Sequence, residues 1–165
     1  MKTVVSVMVG VLLTLLAGAA FADDNRFVFS DLTVRDKSTG LIWTRDANLG
    51  NRNLNYAFEL VKELNIKKYA GFKDWRLPSF EELKSLLDFA KELGFADPES
   101  TTHHPYHLFN QMGFYDVQSN NYWTSTIDEK HPDMGYGVGM EYGEVGMVRR
   151  STPLSIWPVR GESRK

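Results

Sequence analysis

A nine-residue box, Gly71-Phe72-Lys73-Asp74-Trp75-Arg76-Leu77-Pro78-Ser79, runs without a gap into the helical segment Phe80-Glu81-Glu82-Leu83-Lys84-Ser85-Leu86-Leu87. The junction constrains the fold more than any other stretch. Pro78 fixes its own φ and sets the bend, while Ser79 and Glu82 have the S-x-x-E spacing of a capping box, so a helix must begin just after Pro78. Leu83, Leu86, Leu87, Ala90 and Leu93 supply its apolar stripe, and Gly94 is its stop. Trp75 and Leu77 are then expected to enter the core, with Asp74 and Arg76 satisfying turn backbone groups or each other.

Three more tryptophans stand in similar settings: Gly40-Leu41-Ile42-Trp43, Tyr122-Trp123-Thr124-Ser125-Thr126 and Ile156-Trp157-Pro158-Val159-Arg160-Gly161. Four spaced indoles in one small chain predict a shared core. Before the first of them, residues 26–29, 32–35 and 41–43 read as short strands broken by the turn residues 36–40. Leu54, Ala57, Phe58, Val61 and Leu64 then recur at helical spacing behind a capping Asn53 or Asn51, predicting a first helix that ends near Asn65. From Phe95 to Asn121 the periodicity vanishes, and no element beyond a short helical turn is predicted. Val138, Met140 and Tyr142 alternate before Gly143-Glu144, as do Val145 and Met147 after it, which predicts a hairpin. A last strand is read over 155–160, with Pro158 at an edge or an irregularity because it lacks an N–H.

The N-terminus has the three parts of a secretory signal. Lys2 is followed by the apolar run Val4 to Leu16 and by the small-x-small site Ala20-Phe21-Ala22. Residues 1–22 are therefore expected to be a cleaved signal peptide, leaving a single domain over residues 23–165, no membrane span after cleavage, and an exported protein, periplasmic or extracellular. One domain suits a chain of that length. The formal charge of −2, or −3 once Lys2 is gone, gives no electrostatic case for nucleic-acid binding. Positive charge gathers only at the end, where Arg149, Arg150, Arg160, Arg164 and Lys165 face the single acid Glu162. With no cysteine in the chain, disulfide stapling and every thiol reaction are excluded.

The boxes around Trp43, Trp75, Trp123 and Trp157, taken in order, resemble the Lcl C-terminal domain family, named after the terminal domain of a bacterial collagen-like adhesin. The resemblance spans nearly the whole mature chain. It implies an α+β fold of the C-type-lectin-like and formylglycine-generating-enzyme group: two helices flanking one twisted, mostly antiparallel sheet. The residues read one by one agree with that topology. The collagen-like repeat of the namesake is missing here, and so is the cysteine on which formylglycine-generating chemistry depends.

The sequence shows no G-x-S-x-G, H-E-x-x-H or phosphate-binding loop, and Ser125 is expected to pack or hydrogen-bond. Histidines His103, His104 and His107, with His131, form the one metal hypothesis. His103 and His107 have i, i+4 spacing, but Pro105 between them argues against a helix. Asp128, Glu129 and Asp133 match no calcium loop. No cofactor is expected. The stronger expectation is a non-catalytic binding module for a glycan or an envelope or extracellular protein. Aromatic faces and amides in and beside the long loop, namely Tyr106, Phe109, Tyr115, Asn120 and Asn121, would hold a sugar or peptide, and Arg149 with Arg150 a sulfated or carboxylated polymer. The competing expectations are a metal-dependent protein or enzyme using the histidine loop, and a structural subunit of a surface assembly that associates with copies of itself.

Overall fold

Asn53 accepts the Tyr56 N–H at 3.0 Å and starts α1, Leu54–Ile66. In the computed structural model, which describes residues 26–162, this cap lies where sequence places it. The expected signal peptide, Arg164 and Lys165 are outside the described residues. Ser79 and Glu82 form both halves of their capping box at the head of α2, Phe80–Glu92. Leu83, Leu86, Leu87 and Ala90 are fully buried, as the stripe predicts.

The described residues are α+β, with three α-helices and two mostly antiparallel sheets. Strands β1 (Phe27–Phe29), β2 (Thr33–Asp36) and β3 (Ile42–Thr44) form an antiparallel meander that β9 (Val159–Arg160) closes, in the order β1-β2-β3-β9. The second sheet runs β4-β8-β5-β6-β7, from β4 (Asn51–Arg52), β8 (Leu154–Ser155) and β5 (Asn121–Trp123) to β6 (Met134–Gly139) and β7 (Val145–Arg149). Among the described strands β5 and β8 run parallel, where Tyr122 faces Ser155, and Asp46 and Tyr115 form an isolated parallel bridge.

Three expectations are corrected. One twisted sheet becomes two, because the segment read as a single last strand divides at Pro158: β8 enters the second sheet and β9 the first. Two helices become three, because Pro105 opens α3, Pro105–Met112, instead of preventing it. Proline is tolerated at the first helical position, where its missing N–H would have no partner anyway. Gly113, at φ +109°, then ends the helix in the left-handed region. The single shared tryptophan core also separates. Trp43 and Trp157 touch, with ring centroids 5.3 Å apart, inside the main cluster beneath α2 and α3. Trp123 belongs to a second cluster with Leu54, Val61 and Ile156, and Trp75 to a third with Ile42 and Leu64.

The box around Trp75 is tied to the rest of the fold at several points. Asn65 brackets Trp75, accepting its N–H at 2.7 Å and donating to its carbonyl at 2.8 Å. The indole N–H donates to the Tyr69 carbonyl. Pro78 O accepts from the Ser125 N–H, and Arg76 exchanges both backbone bonds with Val159. Asp74 and Arg76 do not pair with each other: Asp74 receives the Arg160 guanidinium at 2.7 and 3.0 Å, and Arg76 turns to Glu82.

Candidate functional site

The β6–β7 hairpin takes its shape from glycines on one face and side chains on the other. A Cβ on Gly135 would lie 2.9 Å from Leu54 and 3.1 Å from Trp123, and one on Gly137 would lie 3.0 Å from Leu154. These close approaches let the sheet settle on the second cluster without side chains between. Alternation then places Met134, Tyr136 and Val138 on the opposite face, with their partners Arg149, Met147 and Val145. Val138 is covered, whereas Val145 and Met147 stay 47% and 44% exposed.

At the base of the hairpin Asn53, Asn55, Asp133, Arg149, Arg150 and Ser151 line an open hollow of about 480 Å³. Arg150 is held: Nη1 donates to Pro132 O and Nη2 to Asn55 Oδ1, each at 3.1 Å. Its backbone N–H donates to Asp133 O, and its carbonyl accepts the Leu54 N–H. Arg149 is exposed, and its guanidinium engages no carboxylate among the described residues. The hollow thus presents a free planar fork, a fixed second guanidinium, amides and a hydroxyl.

Beside the middle of the hairpin lies a more apolar hollow of about 560 Å³, lined by Phe80, Thr126, Ile127, Asp128, Glu129, Lys130 and Tyr136. The Phe80 and Tyr136 rings lie 5.6 Å apart. Asp128 accepts from His131 Nδ1 at 3.0 Å, and that bond, with the Lys130 N–H, holds its carboxyl below the ordinary value. Neither hollow was foreseen as a concave site. The only advance signal was the arginine pair, since concavity comes from contacts between distant segments.

The structure brings Tyr106, Asn120 and Asn121 together and sets Tyr115 apart. Tyr106 N–H donates to Met140 O, Met140 N–H donates to Asn120 O, and Asn121 faces Gly139 in the ladder. Tyr115 stands elsewhere, 51% exposed, with the Arg45 guanidinium 4.0 Å over its ring. Phe109, expected to contact a ligand, faces inward. It is fully buried on the inner side of α3, against Phe114 and Trp157. Its packing could not be read while α3 was missing from the reading.

The histidines do not converge. His103 lies before α3 and bonds through Nδ1 to the hydroxyls of Ser100 and Thr102. His104 is the N-cap residue and is buried, so the i, i+4 pair His103 and His107 never shares a helix face. His104 and His107 stack at 5.9 Å, while His131 pairs with Asp128 in the β5–β6 loop. Among the described residues no group of three or more His, Cys, Asp or Glu is placed to hold a metal ion.

The displaced titrations of Asp36, Glu82 and Tyr122 belong to contacts that hold the fold. Burial pushes Asp36 up, but hydrogen bonds from Arg26 and Ser38 outweigh it and keep the carboxyl below its ordinary value. Glu82 behaves likewise: burial raises it, and Arg76 with the Ser79 N–H brings it down further. Burial drives the Tyr122 hydroxyl well up, where it accepts the Gln118 N–H at 2.7 Å.

Fold and surface together define an α+β domain with a bare, arginine-ended hairpin on one sheet. The family model of the Lcl C-terminal domain matches residues 32–160, and the chain belongs to that family. A comparison with curated proteins finds no match.

Proposed function

We propose that the protein is an exported, non-catalytic binding module for an anionic glycan, sulfated or carboxylated, of an envelope or extracellular surface. The observation that carries the reading is the hollow at the hairpin base, where the free Arg149 fork stands beside the anchored Arg150, Asn53, Asn55 and Ser151. A guanidinium meets carboxylate and sulfate oxygens through two parallel bonds, and amides and hydroxyls match sugar hydroxyls. An open, polar hollow suits one or two residues of a long polymer better than an enclosed small molecule.

We also assign the domain to the C-type-lectin-like fold group. Supporting this are the pairing of β3 with β9, which sets the C-terminal strand against the N-terminal meander, and the two long helices α1 and α2 in the first half of the domain. A metal-dependent reading lacks comparable support, since His103, His107 and His131 are engaged in separate places.

The test is a screen of the purified full-length chain against immobilised glycans that include sulfated and carboxylated polymers. Saturable, salt-sensitive retention that Arg149→Ala abolishes and Arg149→Lys weakens is expected. Retention indifferent to Arg149→Ala, or none on any anionic polymer, overturns the reading.

A further inference from the structure

Strand β7 is one of the two outermost strands of the second sheet, and among the described residues no strand pairs with its outer edge. Sheet edges are commonly blunted by proline, by a central charge, by a bulge or by short length. Val145-Gly146-Met147-Val148-Arg149 has no proline and no charge before its last residue, and it pairs with β6 in an unbroken register over all five residues. The other outermost strands of that sheet and its neighbour, β4, β1 and β9, have two, three and two residues. Val145, Gly146 and Met147 are all exposed.

The register decides which backbone groups face outward. Gly139 N–H donates to Glu144 O at 2.8 Å and Arg150 N–H to Asp133 O at 2.9 Å. Both pairs continue the β6–β7 register, and hydrogen-bonded pairs alternate along an antiparallel ladder. Glu144, Gly146, Val148 and Arg150 therefore turn their peptide groups toward β6, and Val145 and Met147 turn theirs away. Tyr136, opposite Met147, agrees: it uses its N–H and carbonyl on the β5 side, with Thr126 O and Thr124 N.

Charge along this edge has a direction. Glu141 and Glu144 stand at its start and Arg149 and Arg150 at its end. An antiparallel copy lays acidic end on basic end, whereas a parallel copy would set like charges side by side.

We propose that β7 pairs with β7 of a second copy of this chain, antiparallel, about a two-fold axis at Gly146. The contact is isologous and closes on itself. Val145 of each copy then lies opposite Met147 of the other, apolar on apolar, and these residues exchange four N–H···O bonds. Gly146 faces Gly146 in a non-hydrogen-bonded pair, the closer kind, and nothing lies within 4 Å of where its Cβ would be. Glu144 stands diagonal to Arg150 of the second copy, within reach of two long side chains. The two five-stranded sheets become one continuous sheet across the axis. This pairing is independent of the glycan reading, because it uses Val145 and Met147 and leaves the Arg149 fork to be tested separately.

Sedimentation velocity on the purified full-length chain, from micromolar to millimolar, tests it. The wild type is expected to double in mass with concentration, and Val145 and Met147 amide protons to become exchange-protected over the same range. Met147→Pro removes an outward N–H and no bond to β6. Val145→Lys places an ammonium opposite Met147 and alters only an exposed side chain. Both should stay monomeric with wild-type circular dichroism, and if Met147→Pro does not fold, Val145→Lys decides. A wild type monomeric at every concentration, or a dimer that survives Val145→Lys, overturns the proposal. Protection that appears only when a foreign polypeptide is added overturns it in favour of a heterologous strand.

Discussion

Arg76 grips Glu82 through two parallel hydrogen bonds, Nη1 to Oε2 and Nη2 to Oε1, both 2.7 Å long, and the same Nη2 reaches Gly161 O at 2.6 Å. Glu82 Oε2 also accepts the Ser79 N–H at 2.8 Å. One carboxylate thus ends a turn, caps a helix and fastens the guanidinium that holds the C-terminal strand.

Removing Arg76 should accordingly strand a carboxylate that is only 9% exposed. Breaking a fully buried pair costs about 3–5 kcal/mol. Arg76 itself is 38% exposed, and water will screen what remains, so about 2 kcal/mol is expected for Arg76→Ala by urea unfolding. Arg76→Lys should recover only part of it, since an ammonium cannot make the two parallel bonds.

Acid should weaken the fold through Asp36 and Glu82. Both are held below their ordinary values of 3.8 and 4.5 in the folded chain. The unfolded chain therefore takes up protons first as pH falls, and the stabilisation is complete above those ordinary values and lost as pH drops through the lowered folded ones. Unfolding free energy should be flat above about pH 5 and fall steadily below it. In Asp36→Asn the slope below that point should be shallower, although the variant starts less stable.

Alanine at Gly135 should cost more than alanine at Gly139. The new Cβ at Gly135 would meet Leu54 and Trp123, both fully buried and with nowhere to move. Overpacking of this kind costs about 1–3 kcal/mol. At Gly139 the obstacle is the Glu144 carboxylate, the far end of an exposed side chain that can swing away. Thermal midpoints of the two variants should differ in that order.

Stability and binding should part company at the two arginines of the hairpin base. Arg150→Ala loses the bonds to Pro132 O and Asn55 that tie the hairpin to the head of α1, for roughly 1 kcal/mol of destabilisation. Arg149→Ala should leave the unfolding curve unchanged within about 0.5 kcal/mol, because its side chain stands in solvent. Chemical denaturation of both, set beside their retention on anionic glycans, separates scaffold from ligand contact.

Local chemistry was legible and distant chemistry was not. Asn53, Ser79 and Glu82 announce α1 and α2 because a cap is made within a few residues of itself. The three N-terminal strands, read at 26–29, 32–35 and 41–43, form at Phe27–Phe29, Thr33–Asp36 and Ile42–Thr44, since turn residues separate them. Helix α3 escaped because Pro105 reads as a breaker unless one knows it stands first, and with α3 went the burial of Phe109. Asp74 and Arg76 were expected to meet because they are close in sequence. The actual partner of Asp74, Arg160, is 86 residues away, and its guanidinium is 3.8 Å above the Phe72 ring. The arginine pair of the candidate site was visible as a charge cluster, whereas the hollow around it is made by α1 and the β5–β6 loop arriving from elsewhere.

The division of the C-terminal segment at Pro158 also governs when the domain can fold. Strand β8 sits inside its sheet, between β4 and β5, and β9 is bonded to β3 and to the backbone of Arg76. Until residues 154–161 have emerged from the ribosome, β4 has no neighbour, Trp157 leaves an indole-sized gap beside Trp43, and Arg76 lacks its Gly161 acceptor. The domain therefore cannot close before residues 154–161 join it. Under the export proposed above that delay would keep the chain threadable, and a chain truncated before Leu154 should remain open to protease where one extending past Gly161 resists it.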